Sequence, residues 1–143
     1  MFVDLFFRFL STVSFALLVN VPKSEFLWCG LIGMLSWLVV LLVGENLPLY
    51  FGIYLAACCV TLFSRILPRI RRMPMTTYLV PGIIPLVPGG AMYLTMYEIL
   101  SGEQASAVAI GLSSLQTAGL ICLGIVTMLS LPAVLFEKIK PTI

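Results

Sequence analysis

Three prolines and three glycines occur within one short apolar segment, and this segment is the part of the sequence most suited to binding a solute. They are Pro81, Gly82, Pro85, Pro88, Gly89 and Gly90. Each interior proline removes a helical hydrogen bond and costs about 3 kcal/mol, and each glycine adds up to about 1 kcal/mol. In hydrocarbon the freed backbone groups find no water, so such a segment persists only where protein covers it or a wet cavity reaches it. The pattern therefore predicts a broken helix.

A helix that restarts after the glycine pair would present its first N–H groups, and the positive end of its dipole, to an anion. Discontinuous helices of secondary transporters hold carboxylates in this way. One turn onward a tyrosine would add a hydroxyl donor, and on a later span a glutamine requires a polar partner or a wet cavity. We therefore predict a solute-binding site composed of Pro85, Pro88, Gly89, Gly90, Tyr93 and Gln116. The alternative is that the broken segment is a kink or re-entrant hairpin that only packs.

The sequence lacks the residues that catalysis and metal binding usually require. The chain has no histidine, which is the commonest metal ligand and proton shuttle. All four cysteines lie inside apolar runs, where cysteine behaves as a small hydrophobe. We therefore expect no enzyme activity, no catalytic residue, no metal and no cofactor. A net charge of +2 gives no reason to expect nucleic acid as a partner.

The composition indicates that the solvent around most of this chain is lipid. Of its 143 residues 61% are hydrophobic and 10% are charged, and the mean hydropathy is +1.13. A soluble domain of this size could not bury so much apolar surface. We therefore predict an all-α, polytopic integral membrane helix bundle, with residues 1–143 as a single transmembrane domain.

A bilayer core about 30 Å thick requires about 20 apolar residues per helix, and five segments satisfy this length. The predicted spans are residues 2–19, 26–43, 48–67, 78–100 and 105–136. Asp4 and Arg8 shorten the uncharged part of the first span, so a four-span chain with an interfacial first segment is the alternative. We expect the first segment to stay in the mature chain, because an acidic residue precedes any basic one and no small-residue cleavage site follows.

Basic residues in short loops collect on the cytoplasmic side of a membrane. The densest cluster, Arg65 with Arg69, Arg71 and Arg72, therefore predicts a cytoplasmic loop. Alternation from this loop places Lys23, Lys138 and Lys140 inside, and the Glu45 and Glu98 to Glu103 loops outside. We therefore predict a plasma membrane protein with its amino terminus outside and its carboxyl terminus in the cytoplasm.

Small residues recur at helical spacing along the last predicted span. They are Ala107, Gly111, Ser114, Ala118 and Cys122. A stripe of this kind lets another helix approach closely. The stripe therefore predicts the face of this helix that packs against the rest of the bundle.

A set of residues across most of the chain resembles a known transporter family. The residues are Phe15, Ala16, Asn20, Val21, Pro22, Trp28, Cys29, Gly30 and Gly33, then Ile84, Pro85, Leu86, Val87, Pro88 and Gly89, followed by Tyr93 and Met96. With them the chain resembles the threonine/serine exporter family, in its short-subunit form, over about residues 15–132.

The resemblance implies a transport subunit that works beside a larger membrane partner subunit. It also implies export of a small amino acid, such as threonine or serine, or of a dicarboxylate such as succinate. Within the motif it carries over Pro85, Pro88, Gly89 and Tyr93. The alternative function is a structural or assembly subunit with no solute site of its own, and a homo-oligomer stays open.

Overall fold

All regular structure in the described part of this chain is helical. The computed structural model describes residues 2–44 and 48–132. The helices are α1 (Phe2–Leu18), α2 (Phe26–Gly44), α3 (Leu49–Arg71), α4 (Thr76–Ile83), α5 (Gly89–Ser101) and α6 (Gln104–Ser130). Short 3-10 turns at Lys23–Glu25 and Ile84–Leu86 precede α2 and α5. The predicted all-α membrane bundle is thereby confirmed.

Three of these helices, α2, α3 and α6, are long and apolar enough to cross a bilayer unbroken. The segment α4, its following turn and α5 together form a pair bent by 52°, which adds a fourth crossing if it is counted as one span. Helix α1 has 17 residues and carries Asp4 and Arg8. The count of five spans therefore stays a prediction.

The predicted break in the fourth span is confirmed. Helix α4 ends at Ile83, the backbone is extended at Val87, and Pro88 precedes the first turn of α5. Inside α4, Pro81 cannot donate to the carbonyl of Thr77 four residues earlier. The thiol of Cys29 donates to this carbonyl instead, at 3.4 Å, so a neighbouring helix satisfies the group that the proline leaves free.

Helices α3 and α6 run in the same direction, because their contacts advance together along both. Tyr50, at the start of α3, lies beside Gln116 in the middle of α6. Further along, the thiol of Cys58 lies 3.6 Å from the Gly124 carbonyl, and Arg65 then donates to the carbonyls of Met128 and Leu131. The chain between two parallel helices must return to the starting end. This favours one bent crossing by α4 and α5 over a re-entrant hairpin.

Buried apolar side chains concentrate among the first four helices. The largest buried members of this core include Cys29, Val60 and Tyr78, with Ile32 beside them. Helix α1 reaches α2 closely because a glycine, Gly33, faces Thr12 there. In contrast, α5 contains no buried residue.

The small-residue stripe on α6 packs along only part of its length. Ala107 and Ser114 are buried, but Ala118 and Cys122 are exposed. In this second half the packed glycine is Gly124, where an added Cβ would lie 3.0 Å from the Tyr54 carbonyl oxygen of α3. The packing face thus shifts around α6, because Gly111 in its first half meets α5 and Gly124 in its second half meets α3.

Several predicted features lie outside the described residues. They are the loop at Glu45 and Asn46, the end of the fifth span at residues 133–136, and the basic residues Lys138 and Lys140.

Candidate functional site

The broken span meets a charged side chain from the first helix. Arg8 Nη1 donates to the Pro85 carbonyl at 2.7 Å, and the Arg8 Cζ lies 3.7 Å from the ring centroid of Trp37. Trp37 is two residues beyond the midpoint of α2, which is about 3 Å at a rise of about 1.5 Å per residue. The guanidinium therefore lies near the middle of a membrane-crossing helix.

The break itself supplies the carbonyl that Arg8 binds. In a continuous helix the N–H of Gly89 would donate to the Pro85 carbonyl four residues earlier. Here the Gly89 N–H donates to Val87 instead, at 2.8 Å, so the Pro85 carbonyl loses its helical donor. A buried carbonyl without a donor costs about 1–3 kcal/mol. The guanidinium of Arg8 satisfies this carbonyl.

A cavity of about 260 Å³ opens at this point. We call it the arginine cavity, and its described lining residues are Arg8, Trp37, Val40, Leu49, Ile53, Pro85, Leu86, Val87, Pro88 and Thr117. Among these lining residues only Arg8 carries a charge. The arginine cavity extends from Thr117, the middle residue of α6, to Leu49, the first residue of α3. A cationic side chain in a small, mostly apolar cavity is suited to hold a small anion.

The predicted site residues lie in three places in the structure. Pro85 and Pro88 line the arginine cavity. Gly89 and Gly90 follow at the start of α5, where both are exposed and an added Cβ would meet no atom within 4 Å. Tyr93, one turn further, is 69% exposed. The structure therefore brings the two prolines together with Arg8, and leaves these three residues of α5 on its surface.

Gln116 lies in a different place from the other predicted site residues. It is exposed on α6 and lines a shallow apolar groove of about 480 Å³ with Tyr50, Gly119, Leu120 and Leu123. The lining of the arginine cavity takes Thr117, the next residue, from this helix. As a solute-binding residue Gln116 stays a prediction, and the structure assigns it to a separate surface.

A second polar cluster lies where α2 begins, α3 ends and α4 begins. We call it the ion-pair cluster, and its members are Ser24, Glu25, Arg71 and Tyr78. Arg71 Nη2 lies 2.9 Å from Glu25 Oε1, and Arg71 Nε lies 3.1 Å from each carboxylate oxygen. The Tyr78 hydroxyl donates to Glu25 Oε2 at 2.6 Å, and the Ser24 hydroxyl donates to Oε1 at 3.1 Å.

This cluster joins three elements, and both oxygens of the Glu25 carboxylate accept hydrogen bonds within it. The Glu25 side chain is 3% exposed and that of Arg71 is 37% exposed, so the pair lies at the boundary of the bundle. Because both Glu25 oxygens accept hydrogen bonds from Arg71, Ser24 or Tyr78, we interpret the cluster as one that stabilises the fold. Within residues 2–44 and 48–132, no three Cys, Asp or Glu side chains converge as metal ligands.

Sequence reasoning missed Arg8, Trp37, Glu25 and Tyr78 as members of polar clusters. The sequence feature that indicates such a cluster is Arg8 itself. An ionisable side chain within an apolar helix is a functional candidate by default, but the predicted spans use Arg8 only as a charge that shortens the first of them. Glu25 gave a weaker signal, because it lies next to Pro22 and Lys23 in what reads as an ordinary loop.

Comparison with known proteins adds two similarities. The family model described as threonine/serine exporter, ThrE, matches residues 4–131. An uncharacterized protein of Haemophilus influenzae is 28% identical over 145 residues, which covers 98% of this chain and 49% of that protein. The chain thus spans about half the length of this curated relative. No solved structure matches the chain.

Proposed function

Because this chain belongs to the threonine/serine exporter family, we propose that it is a subunit of a secondary transporter. The family is one of transport proteins and not of enzymes, and its apolar helices are suited to a membrane. We propose that the solutes are small amino acids such as threonine and serine, or dicarboxylates such as succinate, and that the complex exports them.

The observation that carries this proposal is the arginine cavity beside the broken span. A solute with a carboxylate needs a cationic contact on its way through an apolar bundle, and Arg8 provides one near the middle of α2. The cavity of about 260 Å³ corresponds to about nine waters at about 30 Å³ each. A volume of this order suits a small organic acid.

We propose Pro85, Pro88, Gly89, Gly90, Tyr93 and Gln116 as residues of the solute path, with different roles. The two prolines line the arginine cavity. The glycines begin a helix whose N-terminal amides suit an anion, and no side chain of the described chain occupies the space beside them. Tyr93 and Gln116 are exposed, so they reach a solute only where a second subunit encloses them.

A larger membrane partner subunit is the second part of the proposal. Three observations support it: the chain matches only half of its longer relative, α5 has no buried residue, and a polar side chain, Gln116, lies on an exposed apolar face of α6. A polar amide in a lipid-facing position favours contact with another helix. A second copy of this chain would satisfy the same surface, and a homo-oligomer is the competing outcome.

The proposed orientation has support from the helix ends. The end of the bundle that carries Arg65, Arg69, Arg71 and Arg72 also holds the start of α2 and the end of α6. Basic residues favour the cytoplasmic side. Contacts of Arg8 with Trp37 and of Thr12 with Gly33 make α1 antiparallel to α2, so α1 begins at the opposite end. We therefore propose a plasma membrane location with the amino terminus outside and the carboxyl terminus in the cytoplasm.

A structural or assembly subunit is the alternative function, and the exposure of α5 favours it. In that case substitutions at Gly89, Tyr93 or Gln116 change the amount of assembled complex and leave the turnover of each complex unchanged. A transport site instead predicts that turnover falls while the complex still assembles.

Export from cells tests the transport proposal directly. Cells that express this chain together with its larger partner are expected to export threonine, serine or succinate faster than cells that express either alone. Replacement of Gly89 and Gly90 by leucine is expected to abolish export and leave membrane insertion intact. Equal efflux from all three cell types would contradict the proposal.

Thiol labelling separates the two functions. Single cysteines are placed at Pro85, Pro88 and Gly89 in a chain whose four native cysteines are alanine, with Leu115 as a control because it is 70% exposed on an apolar face. A wet solute path predicts labelling by a membrane-impermeant reagent at the break and none at position 115. Protection of the break by solute supports transport, and absence of labelling there supports the assembly function.

A further inference from the structure

Arg8 is a cation within an apolar bundle, and its contacts leave its charge only partly compensated. Its direct contacts within the described residues are the Pro85 carbonyl and the face of Trp37. Asp4, one turn earlier on α1, adds an electrostatic attraction. No acidic residue occurs among the described residues that line the arginine cavity. The cavity therefore has a cation and lacks an anion of its own.

The geometry of the guanidinium suits one kind of anion. A guanidinium has five N–H donors in a planar fork, and this fork matches the two oxygens of a carboxylate. Among the described residues, the one hydrogen bond of this guanidinium is from Nη1 to the Pro85 carbonyl. The bond to Pro85 and the stacking on Trp37 fix the plane of the group, so less side-chain entropy is lost when an anion binds.

We propose that Arg8 binds the carboxylate of a solute in the arginine cavity and that it selects carboxylate-bearing solutes over their neutral counterparts. This inference rests on the proposed transport function for its role in the cell. The occupant is a free organic acid and not a lipid headgroup, because Arg8 stacks on Trp37 near the midpoint of α2, and the cavity reaches the end of a helix only at Leu49. Lysine would not serve equally, since it lacks the planar fork and stacks less well on an aromatic ring.

The contact with Trp37 provides a direct test. The chain has two tryptophans, and Trp28 lies beside Arg71 at the ion-pair cluster. In the Trp28→Phe variant of the full chain, purified in detergent micelles, fluorescence therefore reports on Trp37 alone. The probes are L-threonine, succinate and L-threoninamide, in which an amide replaces the carboxylate.

A saturable change in Trp37 fluorescence is expected with L-threonine, with succinate, or with both. The apparent affinity for L-threoninamide is expected to be weaker by about tenfold or more, because sites built for a polar group reject analogues that lack it. An equal response to the amide would overturn the inference, and so would the absence of a saturable response to either carboxylate.

Substitutions in the same background locate the effect. Arg8→Gln is expected to abolish the response and Arg8→Lys to weaken it. The matched control is Arg72→Gln, which removes an exposed arginine at the opposite end of the bundle and is expected to leave the response unchanged. An unchanged response in Arg8→Gln would overturn the inference.

Export measurements keep this inference apart from the proposed function. If cells with the intact chain and its partner export no carboxylate although the purified chain binds one at Arg8, then the transport proposal fails and the binding site stands. If the intact chain exports threonine and the Arg8→Gln variant exports it at the same rate, then the role of Arg8 is overturned and the transport proposal stands.

Discussion

Two arginines of this protein meet opposite surroundings. Arg71 forms hydrogen bonds to both oxygens of Glu25, a carboxylate that also accepts from Tyr78. Arg8 meets a backbone carbonyl and an aromatic ring, at the edge of a cavity. The protein thus supplies a carboxylate to one arginine and leaves the other with room for one.

The difference in surroundings distinguishes an ion pair that stabilises the fold from a site that can bind a solute. A buried ion pair that is complete within the chain fixes the elements that carry it, and removal of one partner is costly. Among the described residues, Arg8 is held by a carbonyl, a ring and the attraction of Asp4, which position the cation and leave donors for an anion. We therefore expect changes at the ion-pair cluster to alter stability, and changes at the arginine cavity to alter solute binding.

The largest expected effect is that of Glu25→Ala on the free energy of unfolding. The change leaves Arg71 and the Tyr78 hydroxyl without their acceptor, and breaking a buried pair costs about 3–5 kcal/mol. We expect about 3 kcal/mol, because Arg71 is 37% exposed and water can solvate it. Denaturant unfolding in detergent micelles measures the loss. Glu103→Ala, at an exposed carboxylate, is the control, and an equal loss there would contradict the prediction.

Tyr78→Phe tests the same cluster with a smaller change. Phenylalanine keeps the buried ring and removes only the hydroxyl that donates to Glu25 at 2.6 Å. Hydrogen bonds to charged groups contribute about 1.5–3 kcal/mol, so we expect a loss of about 2 kcal/mol in unfolding free energy. Tyr97→Phe, at a tyrosine that is 55% exposed, should leave stability unchanged. An equal change in unfolding free energy in both variants would contradict the structural role of the Tyr78 hydroxyl.

Arg8→Gln sharpens the comparison because its effect on stability should be small. The loss of the bond to Pro85 and of the stacking on Trp37 is offset by the removal of a charge from a half-buried position. We expect a change of about 1 kcal/mol or less, against about 3 kcal/mol for Glu25→Ala. The same unfolding measurement decides between them. A loss as large as that of Glu25→Ala would mean that Arg8, like the ion-pair cluster, stabilises the fold.

Gly89→Ala should have the smallest effect on stability, and a favourable one. An added Cβ meets no atom within 4 Å. Replacement of glycine by alanine in the middle of a helix favours the fold by about 0.5–1 kcal/mol, and we expect less at Gly89 because it is the first residue of α5. Gly82→Ala is the matched contrast, because its Cβ would lie 2.9 Å from Ile32 Cγ2 and 3.0 Å from Val60 Cγ1. If Gly89→Ala is stable but slows export, the glycine serves a solute or a partner; if it destabilises the chain, the described packing at this position is wrong.

The break in the fourth span was predictable because its cause is local. Proline and glycine impose their backbone preferences wherever they occur, and the break lies between Pro85 and Pro88 as their spacing requires. The starts of α2 and α3 at Phe26 and Leu49 also agree with predictions made from apolar length and from Pro48.

The clusters themselves were not predictable because their members are distant in sequence. Arg8 and Pro85 are 77 residues apart, and Glu25 and Arg71 are 46 apart. The side of α6 on which the Gln116 side chain lies was equally unpredictable from the sequence. On a helix that is apolar all around, the 3.6-residue period gives no inward face, so the sequence alone could not decide whether Gln116 points to the bundle or away from it.

The absence of buried residues in α5 bears on how the chain tolerates sequence change. A folding measurement and a transport measurement applied to every substitution should agree at the buried positions of α2 and α3, such as Ile32 and Val60. Along Gly89–Ser101 they should diverge at the exposed positions Tyr93, Met96 and Leu100, but agree at Thr95, which packs against Gly111 of α6. Positions where transport is sensitive and folding is not would trace the surface through which this helix meets its surroundings.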